Sequence, residues 1–94
     1  MPSVADSPPL LLVIEDEKSM RKFLRGFLIG AGYCVEEAGN AHEALQIAVQ
    51  NVPQLVLLDL GLPDMDGQQV LLQLREWLKA PIIVLTVQIG RAHV

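Results

Sequence analysis

The sequence predicts an α/β domain in which a parallel sheet carries helices on both faces. Short apolar runs of strand length alternate along the chain with amphipathic segments of helical period. The runs are aliphatic and almost unbroken, which is typical of strands that are buried on both faces. Each interval between runs is long enough for a crossover helix, and such crossovers are right-handed. Together these observations indicate βαβ units.

Four segments have the composition of strands. The runs LLLVI at 10–14, LVLL at 55–58 and IIVL at 82–85 are continuous and aliphatic. The segment YCVEEA at 33–38 contains two acidic residues, so we expect it at an edge of the sheet. The single cysteine, Cys34, cannot form an internal disulfide and is expected to be a small buried hydrophobe.

Three amphipathic segments lie between these strands. The first helix ends at Gly30 and Gly32, the capping pair Asn40 and Glu43 begins the second, and Asp66 caps the third. The apolar faces are Met20, Phe23, Leu24, Phe27, Leu28 and Ala31 in the first helix, Ala41, Ala44, Leu45, Ala48 and Val49 in the second, and Val70, Leu71, Leu74, Trp77 and Leu78 in the third.

Length and charge exclude several classes of function. With 94 residues, half of them apolar, the chain suits one small domain, preceded by a flexible leader at 1–9. A net charge of -4 argues against nucleic-acid binding by its own surface, which would need a basic patch. No apolar stretch approaches the roughly 18 residues of a membrane span, and the leader lacks the features of a secretory signal. We therefore expect a cytoplasmic protein without membrane contact.

Carboxylates follow two of the predicted strands at the rim where open α/β sheets form their sites. Glu15 and Asp16 follow the first strand, Asp59 follows the third, and Thr86 follows the fourth. If the strand order is 2-1-3-4-5, the first and third strands are neighbours and the three carboxylates meet. Such a cluster either raises the pKa values of its members or holds a cation.

Oxygen ligands of this kind suit Mg²⁺, and the absence of a side chain at Gly61 would let its carbonyl approach the ion. With a metal beside it, Asp59 becomes a candidate nucleophile toward phosphorus, and Thr86 a hydrogen-bond donor to a phosphoryl oxygen. Taken alone, Asp59 is more typical of a turn residue, as are Asp64 and Asp66. The acidic pair, the aspartate and the threonine in this order favour the site.

These motifs resemble those of the receiver domain of two-component response regulators. The matching segments are LLVIEDE, LVLLDLGLPDMDG and PIIVLT, and the resemblance covers 10–88. It implies a flavodoxin-like, doubly wound, three-layer fold of strand order 2-1-3-4-5. It also implies that Asp59 is the acceptor of a phosphoryl group from a histidine of a sensor kinase, with Thr86 as the switch hydroxyl.

The same resemblance implies a ligand set for Mg²⁺ made of Glu15, Asp16, Asp59 and the Gly61 carbonyl. Glu15 departs from the aspartate that is commoner at its position, and its longer arm is expected to act through water. More narrowly, LDLGLPDMDG and REWLKAPIIVLTVQ are similar to the winged-helix regulators of Kdp potassium-uptake operons. That subfamily implies control of transcription through phosphorylation-dependent homodimers and a C-terminal DNA-binding domain absent from this chain. The domain itself is not expected to be an enzyme.

A complete receiver continues after the fourth strand through a helix, a strand with a phosphate-pairing lysine, and a last helix. Lys79 precedes the fourth strand and cannot take that role. We therefore expect a partial domain at 10–88 and a non-native or truncated tail at 89–94, a hypothesis that the genomic sequence beyond the Gln88 codon would test. With these elements missing, we expect the isolated chain to be aggregation-prone or partly molten.

Three other functions share parts of this pattern. A flavodoxin-type cofactor domain binds phosphate with a neutral loop, whereas the loop after the first strand here is EDE. A haloacid-dehalogenase-like phosphatase usually has a second aspartate where Gly61 stands. A receiver-like interaction module that no longer uses phosphate is the closer rival, because the lysine is absent.

Two further sets of charged residues have less specific interpretations. The first helix carries a basic face, which is either simply solvated or docks a kinase. His42 is expected to be a solvated surface residue, and His93 needs no functional role. The basic face consists of Lys18, Arg21, Lys22 and Arg25.

Overall fold

Strands and helices alternate strictly over residues 8–85, which are the residues that the structure, a computed structural model, describes. The elements are β1 (Leu10–Ile14), α1 (Lys18–Gly30), β2 (Cys34–Ala38), α2 (Ala41–Gln50), β3 (Leu55–Asp59), α3 (Gly67–Arg75) and β4 (Ile82–Leu85). The alternation and the order of the elements agree with the sequence-based prediction.

All strands of the sheet run parallel, in the order β2-β1-β3-β4. Ile14 of β1 stands between Ala38 of β2 and Leu58 of β3, so the two central strands end at the same level. The doubly wound, flavodoxin-like order is therefore confirmed, as is the edge position of β2. This order makes the residues after β1 direct neighbours of those that end β3.

The main core lies between one face of the sheet and the helices α2 and α3. Its fully buried side chains alternate along the central strands and meet small residues of α2 and branched residues of α3. These residues are Leu12, Ile14, Val56 and Leu58 from the strands, Ala41, Ala44 and Ala48 from α2, and Val70 and Leu74 from α3.

The opposite face of the sheet is covered by α1. Leu11, Val13 and Leu57 point to this face, because side chains alternate along a strand. No residue of α1 is itself buried, and both Phe23 and Phe27 are 65% exposed. The apolar stripe of α1 is therefore only partly covered within residues 8–85.

Local hydrogen bonds explain where the helices begin and end. Asn40 caps α2 by accepting from the Glu43 N–H at 2.8 Å, while the Glu43 carboxylate accepts from the Gly39 N–H, also at 2.8 Å. Asp66 caps α3 by accepting from the Gln68 N–H at 3.0 Å. After α1, Gly32 takes a φ of +99°, a conformation that favours glycine.

Two sequence-based expectations differ from the structure, and one cap was not predicted. Cys34 is exposed at the start of β2, an edge strand that pairs with β1 on one side only; the prediction of a buried cysteine was wrong. Trp77 lies beyond the end of α3 and is 42% exposed. Glu17, for which no role was predicted, caps α1 by accepting from the backbone N–H groups of Ser19 and Met20.

Candidate functional site

The predicted carboxylates meet where β1 and β3 end. Glu15 and Asp16 follow Ile14, and Asp59 is the last residue of β3. Each of the three residues offers a carboxylate oxygen, and these oxygens all lie within 4.8 Å of one another. The parallel register places them there, because Ile14 and Leu58 are paired and the next residues of both strands emerge at the same rim.

Burial distinguishes the members of this acidic cluster. Glu15 and Asp59 are each only 5% exposed, whereas Asp16 faces solvent. Burial is the largest influence on Glu15 and raises the pKa of its carboxyl group to about 7, helped by a hydrogen bond with Asp59 and by the negative charge of Asp59. The Glu17 N–H, which donates to Glu15 Oε2 at 3.3 Å, opposes this shift. Without a cation, burial therefore favours the protonated form of the Glu15 carboxyl group.

This donor set fits a hard divalent cation. It consists of oxygen atoms alone, two of its carboxylates are desolvated by burial, and the third opens to water. Mg²⁺ prefers oxygen ligands, among them carboxylates, and usually keeps several waters, so an open acidic pocket of this kind suits it. A cation would also offset the cost of burying the charged Glu15 carboxylate next to Asp59, which is what raises the pKa of Glu15.

The loop between β3 and α3 is held against the end of β3. The Gly61 N–H donates to Asp59 Oδ1 at 3.3 Å, and the Gly67 N–H donates to the Leu60 carbonyl at 3.2 Å. A side chain at Gly67 would place its Cβ only 2.4 Å from Leu60 Cα. Gly61 therefore lies next to Asp59, while the approach of its carbonyl to a metal ion stays a prediction, and Gly67 permits the close approach that closes the loop.

Asp64 has a structural role that the sequence did not indicate. Its two carboxylate oxygens accept from the backbone N–H groups of Ala41 at 2.8 Å and His42 at 3.0 Å, at the start of α2. These two hydrogen bonds lower the pKa of Asp64. The loop after β3 is thus fastened to α2. No local signal points to this contact, because the partners are more than 20 residues apart.

Two of the four residues of the predicted basic face form ion pairs within the protein. The Nε of Arg21 lies 3.4 Å from Oε1 of Glu37 in β2, and a terminal nitrogen of Arg25 lies 2.9 Å from Oε2 of the same carboxylate. Arg21 also donates to the backbone carbonyl of Glu15 at 2.9 Å. Lys18 and Lys22 remain exposed, and His42 is exposed as predicted.

Three predicted features lie wholly or mainly outside the described residues: the leader at 1–9, Thr86 and the tail at 89–94. Thr86 follows the last residue of β4, and the tail at 89–94, with His93, lies further on. Lys79 is exposed and precedes β4, in agreement with its exclusion from the site. Within residues 8–85, none of the helices has both the length and the apolarity that crossing a membrane requires.

A parallel 2-1-3-4 sheet with a carboxylate cluster at the ends of its central strands defines a class of signalling domain. The family model described as the response regulator receiver domain matches residues 11–94. The chain belongs to this family. Receiver domains bind Mg²⁺ at an acidic pocket, which corresponds to the place of Glu15, Asp16 and Asp59.

Individual relatives place the chain near transcriptional regulators. It is 45% identical over 76 residues to the KDP operon transcriptional regulatory protein KdpE of Escherichia coli, covering 81% of this chain and 34% of that protein. It is 49% identical over 77 residues to KdpE of Mycobacterium tuberculosis, covering 82% and 34%. The chain thus spans about a third of the length of these relatives.

A solved structure agrees in fold. The response regulator protein TrrA of Thermotoga maritima, in complex with Mg²⁺-BeF, superposes with a TM-score of 0.80 at 33% identity. The similarity covers 92% of this chain and 76% of that chain.

Proposed function

We propose that Asp59 accepts a phosphoryl group from a phosphohistidine of a sensor kinase. One observation carries the proposal: the buried Asp59 carboxylate lies within 4.8 Å of two further carboxylates at the mouth of the sheet. Burying charges together in this way is unfavourable unless a cation or a reaction uses them. Family membership supports the same chemistry.

The reaction requires little of the protein beyond positioning the Asp59 carboxylate against the phosphorus atom. An oxygen of Asp59 attacks phosphorus and forms a P–O bond, while the P–N bond to the kinase histidine breaks and its nitrogen takes a proton from water. The Gly61 N–H, bonded to Asp59 Oδ1, orients the carboxylate for this attack. The transfer is stoichiometric, so we do not expect this domain to turn over as an enzyme.

Glu15, Asp16 and Asp59, with the Gly61 carbonyl, are the proposed Mg²⁺ ligands. When bound, Mg²⁺ supplies positive charge that neutralises the phosphoryl oxygens. Asp16 is exposed and provides the first contact for an ion arriving from solvent, whereas Glu15 must release its proton to act as a ligand.

Similarity to the KdpE proteins supports the proposed output. Thr86 acts as the switch hydroxyl, and phosphorylation drives homodimerisation of the complete cytoplasmic protein. DNA is then bound by a C-terminal domain outside this chain, at promoters of potassium-transport genes. Footprinting upstream of such genes, with and without phosphodonor, tests the assignment to potassium transport.

Intact-mass measurement of the complete gene product tests the central proposal. Incubation with Mg²⁺ and a small phosphodonor such as acetyl phosphate should add one phosphoryl group, and Asp59→Asn should abolish the gain. Asp66→Asn is the matched control, because asparagine caps a helix as well as aspartate does. A folded protein that gains no mass would instead support an interaction module that has given up phosphorylation.

A further inference from the structure

We infer that Arg21 is a positioning residue for the metal site: by holding the Glu15 backbone carbonyl, it fixes the direction in which the Glu15 side chain leaves β1. The inference rests on the proposed function, since it concerns how a proposed Mg²⁺ ligand is held. It assigns a role inside the protein to a residue of the basic face of α1.

The guanidinium of Arg21 joins three elements. One of its terminal nitrogens donates to the Glu15 carbonyl at 2.9 Å, and its Nε lies 3.4 Å from Glu37 Oε1. Arginine suits this task because its donors are arranged in a rigid, planar group, so one contact sets the direction of the other. Arg21 thus ties the loop after β1 to α1 and to the edge strand β2.

Glu15 makes hydrogen bonds through its backbone N–H, its side chain and its backbone carbonyl, and Arg21 is the partner of the carbonyl. The Glu15 N–H donates to the Ala38 carbonyl at 3.0 Å, and its Oε2 accepts from the Glu17 N–H at 3.3 Å. The Arg21 contact fixes the remaining backbone polar group of Glu15. A glutamate has one more rotatable bond than the aspartate common in this family, so a fixed backbone matters more for aiming it.

Gly39 provides the space that Arg21 occupies. A Cβ added at Gly39 would lie 2.9 Å from the Arg21 terminal nitrogen and 3.6 Å from its guanidinium carbon. Within residues 8–85, and apart from the chain neighbours of Gly39, no other residue has a heavy atom within 4 Å of that position, and the φ of Gly39 is not positive. Glycine at position 39 therefore leaves room for the Arg21 side chain, and its backbone conformation does not itself require glycine.

The sign of one measurement separates positioning from simple electrostatics. A positive guanidinium beside a cation site repels the cation, so on charge alone the removal of Arg21 should tighten Mg²⁺ binding. If Arg21 aims Glu15, its removal should weaken binding. A contribution to folding alone would change the free energy of unfolding and leave the Mg²⁺ affinity of the folded protein unaltered.

Calorimetric Mg²⁺ titration of the complete gene product tests this inference. We expect Arg21→Gln to weaken binding about 10-fold, the lower end of the loss seen when residues that orient metal ligands are changed. Arg25→Gln is the matched control, because Arg25 shares Glu37 but does not touch Glu15; it should stay within about 2-fold of wild type. Urea unfolding in EDTA establishes that each variant is folded.

A second variant reaches the same contact without changing Arg21. Gly39→Ala should displace the guanidinium and weaken Mg²⁺ binding, but it should have little further effect when combined with Arg21→Gln. Additive effects of the two substitutions, tighter binding in Arg21→Gln, or equal losses in Arg21→Gln and Arg25→Gln would each overturn the inference.

The two proposals fail in different ways. If wild-type protein bound no Mg²⁺ and gained no phosphoryl group, the proposed function itself would be lost. If wild type bound Mg²⁺, Asp59→Asn lost it, and Arg21→Gln bound as wild type does, only the role of Arg21 would be rejected.

Discussion

Gly67 and Leu60 approach each other so closely that a Cβ on Gly67 would lie 2.4 Å from the Leu60 Cα and 2.8 Å from its carbonyl oxygen. Both atoms belong to the backbone, so neither can rotate away. The contact fixes the start of α3 against the residue that follows Asp59. The loop that carries Gly61 is therefore closed by packing as well as by hydrogen bonds.

Gly67→Ala should destabilise the protein by about 1–3 kcal/mol, because the added methyl group must push two backbone segments apart. Urea unfolding measures the change. Gly26→Ala in α1 is the control: apart from the backbone of α1 itself, none of the described residues has an atom within 4 Å of a Cβ there, and alanine should stabilise the helix by up to about 1 kcal/mol. Equal effects of the two substitutions would contradict the role assigned to the Leu60 contact.

Asp64→Asn should lower stability at neutral pH. Hydrogen bonds from Ala41 and His42 lower the pKa of Asp64 in the folded protein, so its charged form stabilises the fold above the ordinary pKa of the unfolded chain, about 3.9. That contribution is lost as the pH falls through the lowered value. The difference in unfolding free energy between wild type and variant should therefore shrink below about pH 3.9; a constant difference would show that charge is not involved.

Glu15 should give the metal-free protein the opposite pH dependence. Its pKa of about 7 lies above the ordinary 4.5, so the folded state binds this proton more tightly than the unfolded state does. In EDTA, the contribution of Glu15 is complete below pH 4.5 and is lost as the pH rises through 7. Glu15→Gln should remove this decline.

Mg²⁺ should compete with the same proton. Its stabilising effect on the melting temperature should be larger at pH 8 than at pH 6, because the ion binds the deprotonated carboxylate. Thermal melts at both values, with and without Mg²⁺, measure this. An equal stabilisation at the two values would argue that Glu15 keeps its proton when the metal binds.

The exposed face of α1 should make the 94-residue chain associate with itself. Phe23 and Phe27 are each 65% exposed and stack with ring centroids 6.4 Å apart, and Ile83 at the edge of the sheet is 48% exposed. Replacing both phenylalanines by serine should reduce association in sedimentation measurements, whereas Leu72→Ser on α3 should not. A monomeric chain with a cooperative thermal transition would contradict this expectation.

The sequence predicts the parts of this fold that depend on local pattern. Apolar runs indicated the strands, and Asn40 and Asp66 marked helix starts. The βαβ pattern predicted parallel strands, whereas the strand order that brings Asp59 to Glu15 was implied by the resemblance to receiver domains. Asp64 and Arg21 escaped prediction for a shared reason. The contacts that were missed are with backbone groups, the Ala41 N–H for Asp64 and the Glu15 carbonyl for Arg21. Every residue has such groups, so no sequence pattern distinguishes the ones that will be used.

Cys34 shows a different limit. Its burial depends on whether a helix happens to cover the first residue of an edge strand, and strand composition carries no information about such cover. The exposure of the apolar stripe of α1 is difficult to predict for the same reason. Its period correctly identified a helix, but period alone does not say how much of the stripe another element will cover.

The two hydrogen bonds that Asp64 accepts provide two backbone amides whose hydrogen exchange can report on the loop after β3. The backbone N–H groups of Ala41 and His42 belong to α2, but they donate hydrogen bonds to Asp64, which lies in the loop that follows Asp59. Any rearrangement of that loop must release them to solvent or alter their hydrogen bonds, and hydrogen exchange detects such release residue by residue. Two amides at the start of α2 can thus be used to follow events at a carboxylate that they never touch.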